Sequence, residues 1–551
     1  MKALQLSAGL LSLFSTSAFA FLQLAINASQ LATKDSQRPM NSSQLATNDP
    51  GNAVKTSSGL IQGHNAPNRQ HVTEYLGIPF AKPPVGNLRF AAPQPYRAHG
   101  LYKASTFVCR PRHIDVPLAD GATAAKLIDA TQQFGATVGE DCLKLNIWSK
   151  HGDGENSKAV LFWLYGGGFT KGTTNSFLYD GEFLADTQDV IVVSANYRVS
   201  LFGFPGLPGM DQNVGLLDQR LAIEWVKKNI AAFGGDPDRI TLFGQSAGAA
   251  SIDYYSYAWT SDPIVNGFIA ESGVSTSFSS PAPADNTNTW YGLTQTLGCG
   301  GVSAGVVATL ACMRGKSMAE ILAASATAAP FGPTADGKTV YSDYTTPGTS
   351  GKFIKKPMLL GNNDYEAGII KVLFGSMGRT QSLLQWAILN LQTFTCPVSN
   401  AAQYRTSNNV PVWRYRYFGE FPNLRLTDDP SSGAWHGSEI ANVFGTAVEA
   451  GLPNTQAETA ISRYIMGAWA AFAKDPTTAL SRAPYSWPLY NTRTNSLVRL
   501  AYDNQTLPSF IAPVTYDYAC QLVLAPGGPD MEGLAKITNL TELGGGSEIG
   551  Y

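Results

Sequence analysis

One short stretch constrains this chain more than any other: residues 239–250, "RITLFGQSAGAA". A run of β-formers ends at Gly244, a serine follows at Ser246, and a small-residue helical run begins at once. A strand that turns this abruptly into a helix holds the residue at the turn in a strained backbone conformation and lifts its side chain off the sheet. Glycines at 244 and 248 clear the room such a turn needs. The surrounding pattern agrees. "AVLFWLYGGG" (159–168), "VIVVSANYR" (190–198) and "KPMLLGNN" (356–363) read as strands. "DQRLAIEWVKKNIAAFGG" (218–235) carries Ile223, Val226 and Ile230 at helical spacing, and "AGAASIDYYSYA" after the serine reads as another helix. Strands alternating with helices predict an α/β fold: a mostly parallel sheet with helices on both faces and its site at the carboxyl ends of the strands. A chain of 551 residues, 44% hydrophobic, has enough apolar material for a large core of that kind.

A serine nucleophile needs a base, and the base needs an acid behind it. In this architecture the chain order is serine, acid, histidine. Of six histidines only His436, in "GAWHGSEIANVFG", follows Ser246. Twelve carboxylates lie between the two. Asp364 and Glu366 stand out because they follow the strand-like "KPMLLGNN", and the residues themselves do not choose between them. Acyl transfer also needs donors for a tetrahedral oxyanion. The glycines of "WLYGGGF" let backbone amides turn inward, and the amide of Ala247, next after the nucleophile, is the usual partner. A phosphate-cradling loop would carry Lys-Ser or Lys-Thr after its glycines, and none follows here.

The rest of the chain sets the compartment and excludes other classes. Lys2, the apolar run 6–14 and Ala18-Phe19-Ala20 have the layout of a secretory signal peptide over residues 1–20. A polar low-complexity stretch follows over 21–52, in which "SQLATKD" at Ser29 recurs as "SQLATND" at Ser43. It reads as a linker. Asn27, Asn41, Asn504 and Asn539 head sequons, candidate glycan sites in a secreted chain. The six cysteines, Cys109, Cys142, Cys299, Cys312, Cys396 and Cys520, are an even set that an oxidising compartment would pair. No Cys-x-x-Cys and no His-Glu-x-x-His occurs, so neither a metal nor another cofactor is expected. A net charge of −2 without like-charge blocks points away from nucleic acid. No further run is long and apolar enough to span a bilayer, and "NLTELGGGSEIGY" lacks the tail of a lipid anchor, so no integral membrane anchor is expected.

Several motifs together give the chain a family likeness. "YLGIPFAKPPVGNLRF" from Tyr75, "EDCLKLNIW" from Glu140, "YGGGF" from Tyr165, "NYRVSLFGF" from Asn196, "GLLDQRLAIEWV" from Gly215, "FGGDPDRITLFGQSAGA" from Phe233 and "HGSEIANVFG" from His436 resemble the type-B carboxylesterase/lipase family, which includes cholinesterases and fungal lipases. The resemblance implies an α/β-hydrolase catalytic domain over 53–545. It also implies a secreted serine ester hydrolase acting on a small-molecule or lipid ester. The family acid falls five residues after a glycine, which puts it at Glu366, and the oxyanion donors fall on Gly167, Gly168 and Ala247. The resemblance further implies ion pairs Arg89–Glu140 and Arg198–Asp218, and disulfides Cys109–Cys142, Cys299–Cys312 and Cys396–Cys520. Departures are Gln245 where many members have glutamate, Tyr165 where many have histidine, and Ala367 for the usual glycine. The rival readings are an interfacial triacylglycerol lipase and, from another class, a non-catalytic adhesion protein that keeps the fold.

The likeness also implies that the Cys109–Cys142 loop borders the pocket mouth. Its segment "VPLADGATAAKLIDATQQF" (116–134), read as a helix, gathers Ala124, Leu127, Ile128 and Phe134 on one face with Thr131 among them. That apolar strip is thin, and a lid opening onto oil would present a broad one. The expectation is activity on dissolved short- to medium-chain esters.

Overall fold

Runs rich in Val, Ile, Leu and aromatic residues on both sides of the pleat need cover on both faces, and one large sheet provides it. The computed structural model describes residues 52–107, 122–132, 139–150, 157–278, 280, 282–326, 328–376, 378–524, 529–530 and 534. Its strands are β1 (Ala53–Thr56), β2 (Gly59–Gln62), β3 (His64–Asn65), β4 (Val72–Pro79), β5 (Leu101–Lys103), β6 (Lys144–Lys150), β7 (Lys158–Leu164), β8 (Ile191–Ala195), β9 (Gly235–Gln245), β10 (Gly267–Glu271), β11 (Met358–Asn363), β12 (Val412–Tyr417), β13 (Leu497–Leu500) and β14 (Ser509–Ile511). Three of them, in the order β1-β2-β5, make a small separate sheet. The other eleven form one sheet in the order β14-β13-β12-β11-β10-β9-β7-β8-β6-β4-β3. The central run from β8 to β13 is parallel throughout, and the strands outside it pair antiparallel. This is the α/β-hydrolase architecture, a large mostly parallel sheet with helices around it.

The sequence-predicted elements fall close to their places. β7, β8, β9 and β11 occupy the four strand-like runs, and the run after Ser246 is the helix Ala247–Ala258. The helix read over 218–235 starts earlier, as Val214–Asn229, and its last turn tightens into a 3-10 segment, Ile230–Phe233. Ile223, Val226 and Ile230 are fully buried. β7, β8, β10 and β11 are buried along their whole length.

Buried ion pairs brace the loops around the sheet. Arg198 grips Asp218 through Nη2 at 2.7 Å and Nε at 2.8 Å, and Arg89 grips Glu140 through Nε at 2.6 Å. Burial pushes the Asp218 carboxyl up, and Arg198 offsets only part of that rise. Arg198→Met would leave a buried carboxylate alone, so it is expected to cost about 3–5 kcal/mol of stability, measured by denaturant unfolding. The exposed Lys227–Asp238 pair should be dispensable by the same measurement, because solvent already screens it. Two disulfides, Cys299–Cys312 and Cys396–Cys520, are formed. Cys142 is half-buried, and Cys109 lies outside the described residues, as do the signal segment, the linker, Asn27, Asn41 and Asn539. Asn504 is held at both ends of its amide: Oδ1 accepts from Glu420 N at 3.0 Å and Nδ2 donates to Glu420 O at 3.2 Å.

Candidate active site

Ser246 joins β9 to the helix Ala247–Ala258 with φ 58° and ψ −122°. A non-glycine residue keeps such a conformation only when its surroundings enforce it. Here its N–H donates to Glu271 O at the end of β10, at 2.8 Å, and the end of β7 closes in from the other side. A Cβ at Gly244 would lie 2.5 Å from the Leu164 carbonyl oxygen, and one at Gly248 would overlap the same atom. The flanking glycines therefore answer to the neighbouring strand as well as to the turn itself. Gly166 is needed for a like reason, since a Cβ there would sit 2.9 Å from Ser246 Cβ.

A pocket opens over this turn. Ser246, Gly166, Gly167, Gly168 and His436 line it on one side, and Ile369, Ile370, Leu373, Phe394 and Ile440 form an apolar wall. Thr131, Lys171, Tyr179, Gln245 and Gly437 complete the described lining. Gly167 and Gly168 have φ of 110° and 61°, which side chains resist, and Ala247 opens the helix directly behind the serine. The amides at a helix N-terminus favour negative charge nearby.

His436 sits in the turn before the short helix Ile440–Phe444. Phe444 packs edge-on against Trp163 of β7, with ring centroids 5.0 Å apart, and so ties that turn to the sheet. Nδ1 of His436 lies 2.6 Å from Glu366 Oε2, and Glu366 Oε1 accepts from Asn363 N at 2.6 Å. With the carboxylate at Nδ1, that nitrogen carries the proton and Nε2 presents its lone pair. Nε2 meets the Gln245 side-chain amide at 3.1 Å, and no hydrogen bond joins it to Ser246 among the described residues. Phe394 stands over the ring, its centroid 4.7 Å away.

Of the two carboxylates that follow β11, the geometry separates the roles. Asp364 binds Arg416 of β12 at 2.7 Å. Burial pushes the Asp364 carboxyl up, offset in part by that guanidinium. Glu366 alone reaches His436.

Three features carry no local signal in the sequence. Two more glutamates are buried behind the histidine. Burial pushes Glu271 up to about 8, and its Oε1 accepts from Trp469 Nε1 at 2.8 Å. Glu439 is raised well above the ordinary range by burial and then by Glu271 and Glu366, and it accepts from Asn363 Nδ2 at 2.5 Å. The second feature is the Gln245 contact with His436. The third is Lys171, a cation in the pocket wall four residues after Gly167.

Thr131, as expected of the segment before Cys142, borders the pocket. It lies on the helix Ala122–Gln132, whose Ala124, Leu127 and Ile128 are buried, so the apolar strip faces the protein. Phe134 and residues 116–121 lie outside the described residues.

Comparison with known proteins places this geometry among its kin. The model of the carboxylesterase family matches residues 50–382 and 379–518. The chain is 35% identical to a chlorogenic acid esterase of Aspergillus niger over 480 residues, covering 82% of this chain and 90% of that one. It is 33% identical to secreted lipase 5 of Gibberella zeae over 515 residues, 85% of this chain and 94% of that one. It is 32% identical to the cholinesterase of Mus musculus over 479 residues, 76% and 78% of the two chains.

Proposed function

Given that the chain belongs to the carboxylesterase family and is a carboxylic ester hydrolase, we propose that it is secreted and works through an acyl-enzyme on Ser246, with His436 as base and Glu366 as acid. The observation that carries the reading is the buried Glu366–His436 contact of 2.6 Å beside a strained serine in the same pocket. Ser246 Oγ attacks the ester carbonyl and passes its proton to His436 Nε2. Glu366 pairs with the imidazolium that forms. The oxyanion is held by the amides of Gly167, Gly168 and Ala247. The alcohol leaves with the proton from His436, and water, activated by the same nitrogen, releases the acid. For the first step Ser246 Oγ takes the place of the Gln245 amide at Nε2, a tightening common when substrate arrives.

Secretion is supported by the signal-like residues 1–20, by two disulfides and by the secreted fungal relative. Among the described residues no helix is long and apolar enough to cross a membrane. Residues 53–545 would form the catalytic domain, with all three disulfides closed, and Asn27, Asn41, Asn504 and Asn539 are the candidate glycan sites.

Substrate form follows from the helix Ala122–Gln132. Its apolar residues are already buried, so opening onto an oil surface would gain little further area at about 25 cal/mol per Å². The expected substrates are dissolved short- to medium-chain esters. Initial rates on a sparingly soluble ester should rise hyperbolically and level off through its solubility limit. A sharp jump beyond that limit would instead identify an interfacial lipase. No turnover of any ester by the folded secreted chain would favour the adhesion alternative.

A further inference from the structure

We propose that Gln245 makes this site select esters whose leaving alcohol carries a second hydroxyl on the carbon next to the ester linkage, an inference that rests on the ester-hydrolase reading above. Gln245 is the last residue of β9 and lies opposite Glu271 in the parallel pairing with β10, so the sheet holds its backbone. Its side chain belongs to the pocket lining and is only 5% exposed. Packing sets the direction of the carboxamide. A Cβ at Gly166 would lie 2.8 Å from Gln245 Oε1, so that oxygen rests beside the glycine loop. Gln245 Nε2 lies 3.1 Å from His436 Nε2. The Nδ1 proton of His436 is engaged by Glu366, so His436 Nε2 accepts and Gln245 donates.

Among the described residues this is the one hydrogen bond the carboxamide makes. The reaction removes it. His436 Nε2 takes the Ser246 proton and then gives it to the oxygen of the leaving alcohol, and while it holds that proton it cannot accept from Gln245. A buried amide then stands without a partner beside the apolar wall of Ile369, Ile370 and Leu373, which is unfavourable unless the substrate supplies a replacement.

The same step tells which part of the substrate is near. The leaving oxygen must come within hydrogen-bond distance of His436 Nε2, about 2.9 Å. Gln245 Nε2 is 3.1 Å from that same nitrogen, so the carboxamide is a neighbour of the leaving alcohol. A hydroxyl one carbon further on can accept from Gln245 Nε2 or donate to Oε1, because an amide offers both. A plain alkyl alcohol can do neither. A carboxylate at 245 would have no N–H to strand and would draw cations, whereas the neutral amide suits a neutral hydroxyl. Thr131, which also borders the pocket, gives its proton to Leu127 O and Ile128 O of its own helix, at 2.9 and 3.2 Å.

The test uses the full-length secreted protein and two ester pairs in which a methyl group replaces a hydroxyl. 2-Hydroxyethyl butyrate and propyl butyrate differ on the alcohol side. Methyl 3-hydroxybutyrate and methyl 3-methylbutyrate differ on the acyl side. The readout is kcat/KM for the hydroxyl member divided by that for the methyl member. Each value is first divided by the rate constant for hydrolysis by hydroxide, which removes intrinsic reactivity. Wild type should favour the alcohol-side hydroxyl about tenfold, the scale of a hydrogen bond that satisfies a buried group. Gln245→Met, of similar length but without an amide, should lower that ratio about tenfold and leave the acyl-side ratio where it was. Gln245→Leu gives the same comparison if the methionine variant does not accumulate. Each readout is a ratio on one preparation, so neither the folded fraction nor a general effect on His436 enters it. A wild-type alcohol-side ratio at or below one, a preference that survives in the variants, or an equal loss in the acyl-side pair would overturn the proposal. So would a wild type that cleaves 4-nitrophenyl butyrate but not 2-hydroxyethyl butyrate. A wild type that hydrolyses none of these esters would instead remove the ester-hydrolase reading on which the proposal rests.

Discussion

Ser246→Ala is expected to lower kcat about 10⁶-fold, close to 8 kcal/mol of transition-state stabilisation at 1.36 kcal/mol per decade. The alanine variant should remain folded and secreted, because the strain at φ 58° is imposed by β7, β10 and the two flanking glycines and not by the hydroxyl. Without Oγ there is no atom to acylate. The residual rate would come from the glycine loop and substrate binding alone. An organophosphate should add its mass to the peptide holding Ser246 in wild type and to nothing in the variant. Near-normal turnover by a verified Ser246→Ala protein would rule out the acyl-enzyme.

Glu366→Gln comes next in size, with an expected loss near 10⁴-fold, the cost of forcing the wrong imidazole tautomer. The carboxylate 2.6 Å from His436 Nδ1 accepts the hydrogen bond of the Nδ1–H and so leaves the lone pair on Nε2 to act as base. A glutamine amide at the same place can donate to Nδ1 and shift the ring proton to Nε2, where it blocks transfer from serine. Asp364→Asn should cost far less activity, since that side chain answers to Arg416. Its effect should fall on stability, through a buried guanidinium that loses its ion partner. Steady-state kinetics and denaturant unfolding on the two variants separate the roles. If Asp364→Asn proved the more damaging to kcat, the acid would be misassigned.

The parts of the site that were legible in the chain are those with a local cause. A strand, a serine between glycines and a helix must share one turn because backbone sterics leave few ways to join those elements so closely. Chain order then leaves His436 alone after Ser246. Gly167 and Gly168 announce a loop that needs positive φ. Lys171 gave no such signal: "TKGTT" reads as a polar loop, and only its packing beside Gly167 makes it a pocket residue. Glu271 ends a strand and Glu439 follows a histidine turn, and neither position tells how deep the carboxyl lies.

The sequence by itself therefore determined what short-range forces decide. These are the parallel α/β sheet, the strained turn at Ser246, the glycine loop, His436 as the candidate base by elimination, and a pair of carboxylates after β11. Tertiary structure decided which of that pair faces the base. β11 lies beside β12 with Asn362 opposite Arg416, so Asp364, two residues on, falls within reach of that guanidinium and is drawn to it. Glu366, in the turn beyond, is left to the imidazole that the helix Ile440–Phe444 and its contact with Trp163 bring across from 70 residues away. The same docking put Gln245 on Nε2 and Lys171 in the pocket wall. Such partners are set by the approach of distant segments, whose energy lies in packing and in charges removed from water, and no local pattern of residues encodes that approach.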